Sequence, residues 1–228
     1  IGGGSIIDIA KFVALLKISG GMCAEYEFSG REIVGCLPTF VVPSTAGTGS
    51  EVTQYSVIKN SNTHRKFTIA NSLLFPHTAL MDPVITIGLP IFTTIATGLD
   101  AFIHCLESIL KPNVNQLVRP IAIEGLKLIY NNLPKIINEP DNIGLREQLQ
   151  YASLLGGICI SHSRTGLIHT LSAAFSVYSS QAHGILNAQM MPFVLNYNSK
   201  YYDGHCKNIV KKFVNLNIKN DEDAINLL

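Results

Sequence analysis

Asp100 and His104 stand one helical turn apart in the stretch GLDAFIHCLES (98–108), inside a largely apolar run. Residues at i and i+4 share a helix face, and an unpaired carboxylate on a buried face is costly. Either Asp100 sits at a wet edge, or the pair is aimed at something that needs both. Two more histidines are candidates to join them: His169 in the apolar GLIHTLSAAF, and His183 in SSQAHGILNA, just ahead of another apolar run. Fourteen residues separate these two (183 minus 169). On one unbroken helix that is about 21 Å of rise, too far for two ligands of one ion. YSSQ lies between them and offers a break at which the chain folds back and returns His183 to the level of His169. One carboxylate and three imidazoles make an N/O set suited to a divalent first-row metal such as Fe(II) or Zn(II), with no thiolate required. A substrate oxygen in an open position would then meet a Lewis acid. The competing reading, a satisfied core histidine, is the better one for any of the three alone. The Asp100/His104 pair tips the balance, because an apolar helix rarely keeps a carboxylate without a partner. His77, His162 and His205 lack such company and read as ordinary surface or loop residues.

Two glycine-containing stretches suit phosphate. IGGGS leads straight into helical periodicity; N–H groups at a helix N-terminus favour an anion, and glycines let it come close. Taken alone, this is equally a tight turn. PSTAGTGSE (43–51) follows a strand and interleaves Gly47 and Gly49 with the hydroxyls of Ser44, Thr45, Thr48 and Ser50. Such a loop presents several donors to a polyphosphate without adding charge; the plain alternative is a flexible polar loop. Together the two favour a nucleotide more than either does alone. Lys66, in HRKF, could supply a cation or be an ordinary exposed lysine.

The elements that must position these residues fall into two parts. Before residue 90 the pattern is α/β. A helix is expected over SIIDIAKFVALL, with Ser5 as N-cap and Asp8 completing a capping-box variant. A short strand follows at TFVV (39–42), then a hairpin in TQYSVIKNSNTHRKFTIA turning at NSNT, then a strand in HTALMDP. After Pro90 long apolar-periodic stretches predict helices over roughly 91–110, 116–132, 143–159, 164–177 and 184–197. The expected organisation is therefore an α/β part, 1–90, and an all-helical part, 91–228.

Of 228 residues 47% are apolar and 14% charged, which argues against disorder. A net charge of +1 without a basic cluster gives nucleic-acid binding little support. No apolar run suits a membrane span. Five scattered cysteines without a CxxC pair read as reduced cytoplasmic thiols, mostly core filler, Cys105 included. The chain opens without Met on IGGGS, where a strand should already have ended, and closes on DEDAINLL without a helix stop; it reads as a fragment at both ends.

GGGSIIDIAK, PSTAGTGSEVT, RKF, MDP, GLDAFIHCLES and HTLSAAF…AHGILNA…P occur in this order. In this order and spacing, over nearly the whole chain, they resemble the iron-containing (group III) alcohol dehydrogenase family. TAGTGSE and GLDAxxHxxE together are highly specific to it. The resemblance implies NAD(P)-linked interconversion of a small alcohol and an aldehyde or ketone. It also implies a dehydroquinate synthase-like fold, with a Rossmann-like dinucleotide-binding part, a helical domain and the metal in the cleft. Carried over by position, it places the metal, Fe(II) or else Zn(II), on Asp100, His104, His169 and His183. It places NAD or NADP on Gly3, Gly4, Ser5, Ser44, Thr45, Thr48, Lys66 and Ile85. No catalytic residue is implied beyond the metal ligands. A homodimer is the assembly to expect from the family, although no segment signals one.

The sequence departs from the family where many members carry a second histidine, four residues after the third ligand; Ala173 stands there. Proton transfer would then fall to water, Thr170, Ser172 or a ribose hydroxyl. Arg164, five residues before His169, could pair with an anionic substrate group or be a surface or salt-bridged arginine. Two rival functions remain: a dehydroquinate synthase-like lyase, disfavoured by the sparse Lys and Arg between 90 and 200, and a truncated non-catalytic paralogue.

Overall fold

The computed structural model describes residues 1–28, 30–61 and 66–228. The glycines open helix α1 (Gly4–Ser19), capped by the backbone of Gly3 with no side-chain hydrogen bond. The expected Ser5 capping box does not form. The helix starts before Ser5, which leaves Asp8 too far along to reach back. Asp8 turns inward instead, accepting from the Ser50 hydroxyl and, at 3.0 Å, from the Val57 N–H. A short helix α2 (Cys23–Phe28), not anticipated from the sequence, follows.

The expected strands are present but short: β1 (Phe40–Val41), β2 (Tyr55–Lys59), β3 (Lys66–Ala70) and β4 (Thr78–Ala79). β2 and β3 form the antiparallel hairpin, Tyr55 opposite Ala70 and Lys59 opposite Lys66. Asn62 and Thr63 of its expected turn, and His64 and Arg65, lie outside the described residues. β1 pairs with β4 in parallel, and a Gly2–Pro43 bridge extends this patch. Among the described residues no wider parallel sheet is formed, so a Rossmann-like sheet is not seen in them. Parallel sheets are normally covered on both faces, yet Phe40 and Leu80 beside this patch are 68% and 60% exposed.

From Ile91 onward the described elements are helical: α3 (Ile91–Leu110), α4 (Val118–Ile136), α5 (Ile143–Ser163), α6 (Leu167–Phe175), α7 (His183–Asn198), α8 (His205–Val210) and α9 (Asp221–Leu227). α3 has the span its periodicity predicts. α6 begins later than the expected 164, because Arg164 takes a positive φ and Gly166 is the N-cap. α8 was not foreseen.

α3 is the axis of the helical part. Ala101, Ile103, Cys105, Leu106 and Ile109 on it are fully buried, in one core with Leu126 of α4, Cys159 of α5 and Leu195 of α7. Each buried Ile or Leu contributes roughly 1.5–3 kcal/mol. Phe102 meets Phe213 edge to face, 5.9 Å between centroids. A smaller core, Phe12, Leu15, Tyr26, Ile69 and Leu74, joins α1 and α2 to the hairpin. Between the two parts the loop after β1 crosses α5. Gly49 has φ +61, and a Cβ on it would strike the Gly157 backbone. No described helix is long and apolar enough to cross a membrane, and all five cysteines are free.

Candidate metal centre and cofactor cleft

Asp100 is the hub. It is only 4% exposed. His104, one turn along α3, places Nε2 3.8 Å from Asp100 Oδ1. α6 brings His169 Nε2 to 3.4 Å from the same oxygen, and α7, on its first residue, brings His183 Nε2 to 3.9 Å. The chain break between α6 and α7 thus returns His183 to His169, with ring centroids 5.5 Å apart. Asp100, His169 and His183 offer ligand atoms that all lie within 4.8 Å of one another. His104 stacks on His169 at 4.6 Å but stands outside that trio. Gly184 makes the approach of α7 workable, since a Cβ there would run into the Ala96 carbonyl on α3.

A ring of polar groups fixes these side chains. Glu107 accepts from His169 Nδ1 at 2.6 Å and from the N–H groups of Gly166 and Ile168 at 2.7 Å. A carboxylate on Nδ1 fixes the ring and turns Nε2 the other way, into the trio. Asn187 donates to Asp100 Oδ1 at 2.8 Å, and Ser172 Oγ lies 3.1 Å from His183 Nδ1. None of these three had been assigned this task from sequence. Glu107 had a signal: three residues after His104 and seven after Asp100, it shares their helix face. Ser172 and Asn187 had none, because their partners are distant in the chain.

The electrostatics are those of a site prepared for a cation. Burial alone would raise the Asp100 carboxyl, but His104, His169 and His183 outweigh it and hold the group below the usual carboxylate range. Burial pushes His104 down to about 4, so its imidazole is neutral at neutral pH. Burial also disfavours the charged form of His169, yet Asp100 and Glu107 on either side raise it to about 9. His169 Nε2 is nevertheless buried without a hydrogen-bond partner, as is His104 Nδ1. An orphaned buried nitrogen beside a carboxylate, as His169 Nε2 is beside Asp100, is what a divalent ion with N/O ligands satisfies, so the residues present fit such an ion.

The trio opens onto a cleft of about 920 Å³. Of the positions expected to hold a dinucleotide, Ser5, Thr48 and Lys66 line it; Gly3, Gly4, Ser44, Thr45 and Ile85 do not. Gly3 and Gly4 pack instead on Thr45 and Thr48, where a Cβ would meet those side chains at 3.1 and 2.5 Å. The N–H groups of Ile6 and Ile7 turn onto the Gly3 carbonyl, leaving the first N–H groups of α1 beside Ser5 for an anion. Burial lowers the Lys66 amine, with Asp100 opposing the shift. Thr170 and Ala173 also face the cleft, whereas Ser172 is fully buried against His183. His205 is held by the Ile109 carbonyl at 2.8 Å, and His162 lies exposed beside the Ile158 carbonyl.

A buried carboxylate–imidazole cluster thus lies on an open cleft that the start of α1 also lines. The Fe-containing alcohol dehydrogenase family, C-terminal, matches residues 94–227, and iron-containing alcohol dehydrogenase matches 1–83. The chain belongs to the iron-containing alcohol dehydrogenase family. It is 34% identical over 198 residues to alcohol dehydrogenase 4 of Saccharomyces cerevisiae, 87% of this chain and 52% of the relative. It is 34% identical over 200 residues to 1,3-propanediol dehydrogenase of Klebsiella pneumoniae, 87% and 51%. Among solved structures, a 1,3-propanediol oxidoreductase superposes with TM-score 0.91 at 30% identity, over 99% of this chain and 60% of that one. Sulfoacetaldehyde reductase from Bifidobacterium kashiwanohense, in complex with NAD+, superposes with TM-score 0.90 at 27% identity over the same shares. The chain spans about half the length of the curated relatives it matches.

Proposed function

We propose that the chain carries the metal centre and part of the dinucleotide site of a metal-dependent alcohol dehydrogenase or aldehyde reductase. The observation that carries this reading is His169 Nε2, buried and unpartnered within the Asp100–His183 trio while Glu107 holds the opposite nitrogen. Asp100, His169 and His183 would hold the cation, with His104 as the fourth ligand; Fe(II) is the first choice and Zn(II) the second. Residues 1–90 form the Rossmann-like dinucleotide-binding side in this reading and residues 91–228 the metal-binding side. NAD or NADP lies along Ser5, Thr48 and Lys66, with Gly3, Gly4, Ser44, Thr45 and Ile85 shaping its surroundings. When bound, the ion supplies a Lewis acid for the alcohol or carbonyl oxygen, and the nicotinamide exchanges the hydride.

The chain's own residues position and shield. Asn187 fixes the Asp100 carboxylate, Glu107 the His169 tautomer and Ser172 the His183 ring. That engagement removes Ser172 as a proton carrier; Thr170 is exposed at the cleft beside Ala173, with its hydroxyl donating to the Gly166 carbonyl at 2.9 Å. A cytoplasmic location, suggested by the free thiols, and a homodimeric assembly go with this reading.

Metal analysis of the protein as purified, combined with NADH and NADPH oxidation against a panel of aldehydes, tests it. About one divalent ion per chain and net cofactor turnover are expected, with both lost in His169→Ala. Bound metal and cofactor without net turnover would point to the synthase-like alternative. Absence of metal binding would remove the proposal and leave the non-catalytic reading.

A further inference from the structure

Arg164 follows the last residue of α5 with φ 60 and ψ 172. That region is essentially reserved for glycine, and strained residues of this kind gather at functional sites. The backbone is pinned on both sides. Its N–H donates to the Ile160 carbonyl at 2.7 Å, and its own carbonyl accepts from Lys111 Nζ at 2.7 Å. Glycine would fill the position without strain, yet the chain places there the residue with the largest cationic side chain.

Among the described residues that side chain has no counterion of its own. Arg164 is exposed and lines the cleft shared by His169 and His183. No described group engages its guanidinium in a hydrogen bond or ion pair. The carboxylates of the cleft are Asp8 and Asp100. The first is tied to Ser50 and Val57, and the second is surrounded by the three imidazoles and Asn187. Lys66, the cation nearer Asp100, stands on the hairpin side. Arg164 is thus a free, planar, always-charged fork on the helical wall, close in sequence to a ligand candidate.

We propose that Arg164 determines substrate specificity by binding an oxyanion (carboxylate, sulfonate or phosphonate) at the far end of a short aldehyde whose carbonyl lies at the Asp100–His169–His183 centre. The inference rests on the proposed aldehyde chemistry of that centre and names the substrate class it takes. A guanidinium fork matches all three oxyanions through two parallel hydrogen bonds, and the cleft leaves this fork unsatisfied until such a group arrives.

The test uses the metal-loaded protein and pairs of aldehydes of equal length: succinate semialdehyde against butanal, and sulfoacetaldehyde or phosphonoacetaldehyde against propanal. Arg164→Gln and Arg164→Gly are expected to lower kcat/KM for the anionic member about 10–100-fold, the range of a lost charge-assisted hydrogen bond. The neutral member should change less than about twofold, and the KM for NADH should stay constant. Arg164→Lys should restore part of the loss. Which of the three anions loses most identifies the preferred headgroup. Arg164→Gly carries a second readout: relief of strain should raise Tm by roughly 2–4 °C while the anionic preference disappears. Equal losses on both members, no loss on either, a raised KM for NADH, or a lowered Tm in Arg164→Gly would each overturn the inference. Should no aldehyde be reduced at all, the dehydrogenase reading fails separately. Calorimetric titration with ethylphosphonate then decides: binding to wild type and not to Arg164→Gln upholds the anion site, and no binding to wild type removes it.

Discussion

The charge buried beside α1 and the charge buried on α3 end in opposite states. Between α1 and the hairpin, Lys11 has no exposed surface. Its ammonium meets five oxygens: the Ser50 carbonyl, Ser50 Oγ at 3.0 Å, the Thr53 carbonyl at 2.9 Å, Thr53 Oγ1 at 3.3 Å and the Tyr55 carbonyl at 3.0 Å. Asp8 stands 3.9 Å away and is itself satisfied by Ser50 and Val57. At Asp100 the burial is similar, but His169 Nε2 and His104 Nδ1 are left open. Ionisable residues in a core therefore say little by themselves. What separates a knot from a site is whether the chain saturates its own donors and acceptors. The Lys11 cluster ties α1 to the loop after β1 and to β2, so the cleft wall keeps its shape. The Asp100 cluster leaves its valence to a ligand.

The largest expected effect comes from cutting the saturated knot. Lys11→Met strands Asp8 and five acceptors in a dry interior, and removing one partner of a buried charged set costs about 3–5 kcal/mol. Urea denaturation should show that loss in metal-free protein. Asp100→Asn, by contrast, keeps its shape and leaves His169 its second carboxylate, Glu107, so in the same metal-free state it should cost less than Lys11→Met, while abolishing any stabilisation by added Fe(II) or Zn(II). A Lys11→Met loss no bigger than that of Asp100→Asn would erase the distinction between the two regions.

A smaller effect sharpens the open side. Glu107 touches the proposed ion only through His169. Glu107→Gln retains the shape but weakens the hold on the tautomer, and such a change typically costs 10–100-fold in metal affinity. Competition against a chelator of known affinity measures it, and the variant should still bind one ion per chain. Unchanged affinity would mean that Glu107 serves only the α6 N-terminus, through Gly166 and Ile168.

Much of this was legible before the structure, and unevenly so. The helical part announced itself because its apolar residues recur at the helical period, and α3 has the expected span. The pairing of His169 with His183 could be reasoned from the break at YSSQ, since rise per residue forbids the alternative. The strands proved shorter than the apolar runs suggested, because strand pairing depends on partners remote in sequence. The Ser5 capping box does not form because the helix starts one residue earlier, on Gly4, and Asp8 turns to Ser50 and Val57 instead. Nothing local in the sequence marks Lys11, whose five acceptors lie 39 to 44 residues on. Composition and periodicity report faces of helices; they do not report which polar atoms end up satisfied.

The smallest effect concerns a loose end of the region around Lys11. Glu51, next to Ser50, is 3% exposed, and its Oε1 has no hydrogen-bond partner. Burial pushes its carboxyl from 4.5 up to about 7, with the backbone hydrogen bond and Lys11 pulling the other way. A folded-state pKa raised above the unfolded one contributes stability that is present below about 4.5 and is lost as pH rises through about 7. Lys11 behaves oppositely: burial lowers it from 10.5 to about 8, so its penalty is present below that value and is relieved as pH climbs toward 10.5. Both groups therefore weigh most on stability between about 7 and 8. Glu51→Gln removes one of the two weights. The variant should gain on the order of 1 kcal/mol over wild type near pH 7.5 and little or nothing near pH 5, read from urea midpoints at both values. An equal gain at both pH values would show that carboxyl ionisation is not what Glu51 brings to the knot, and that the knot is closed even there.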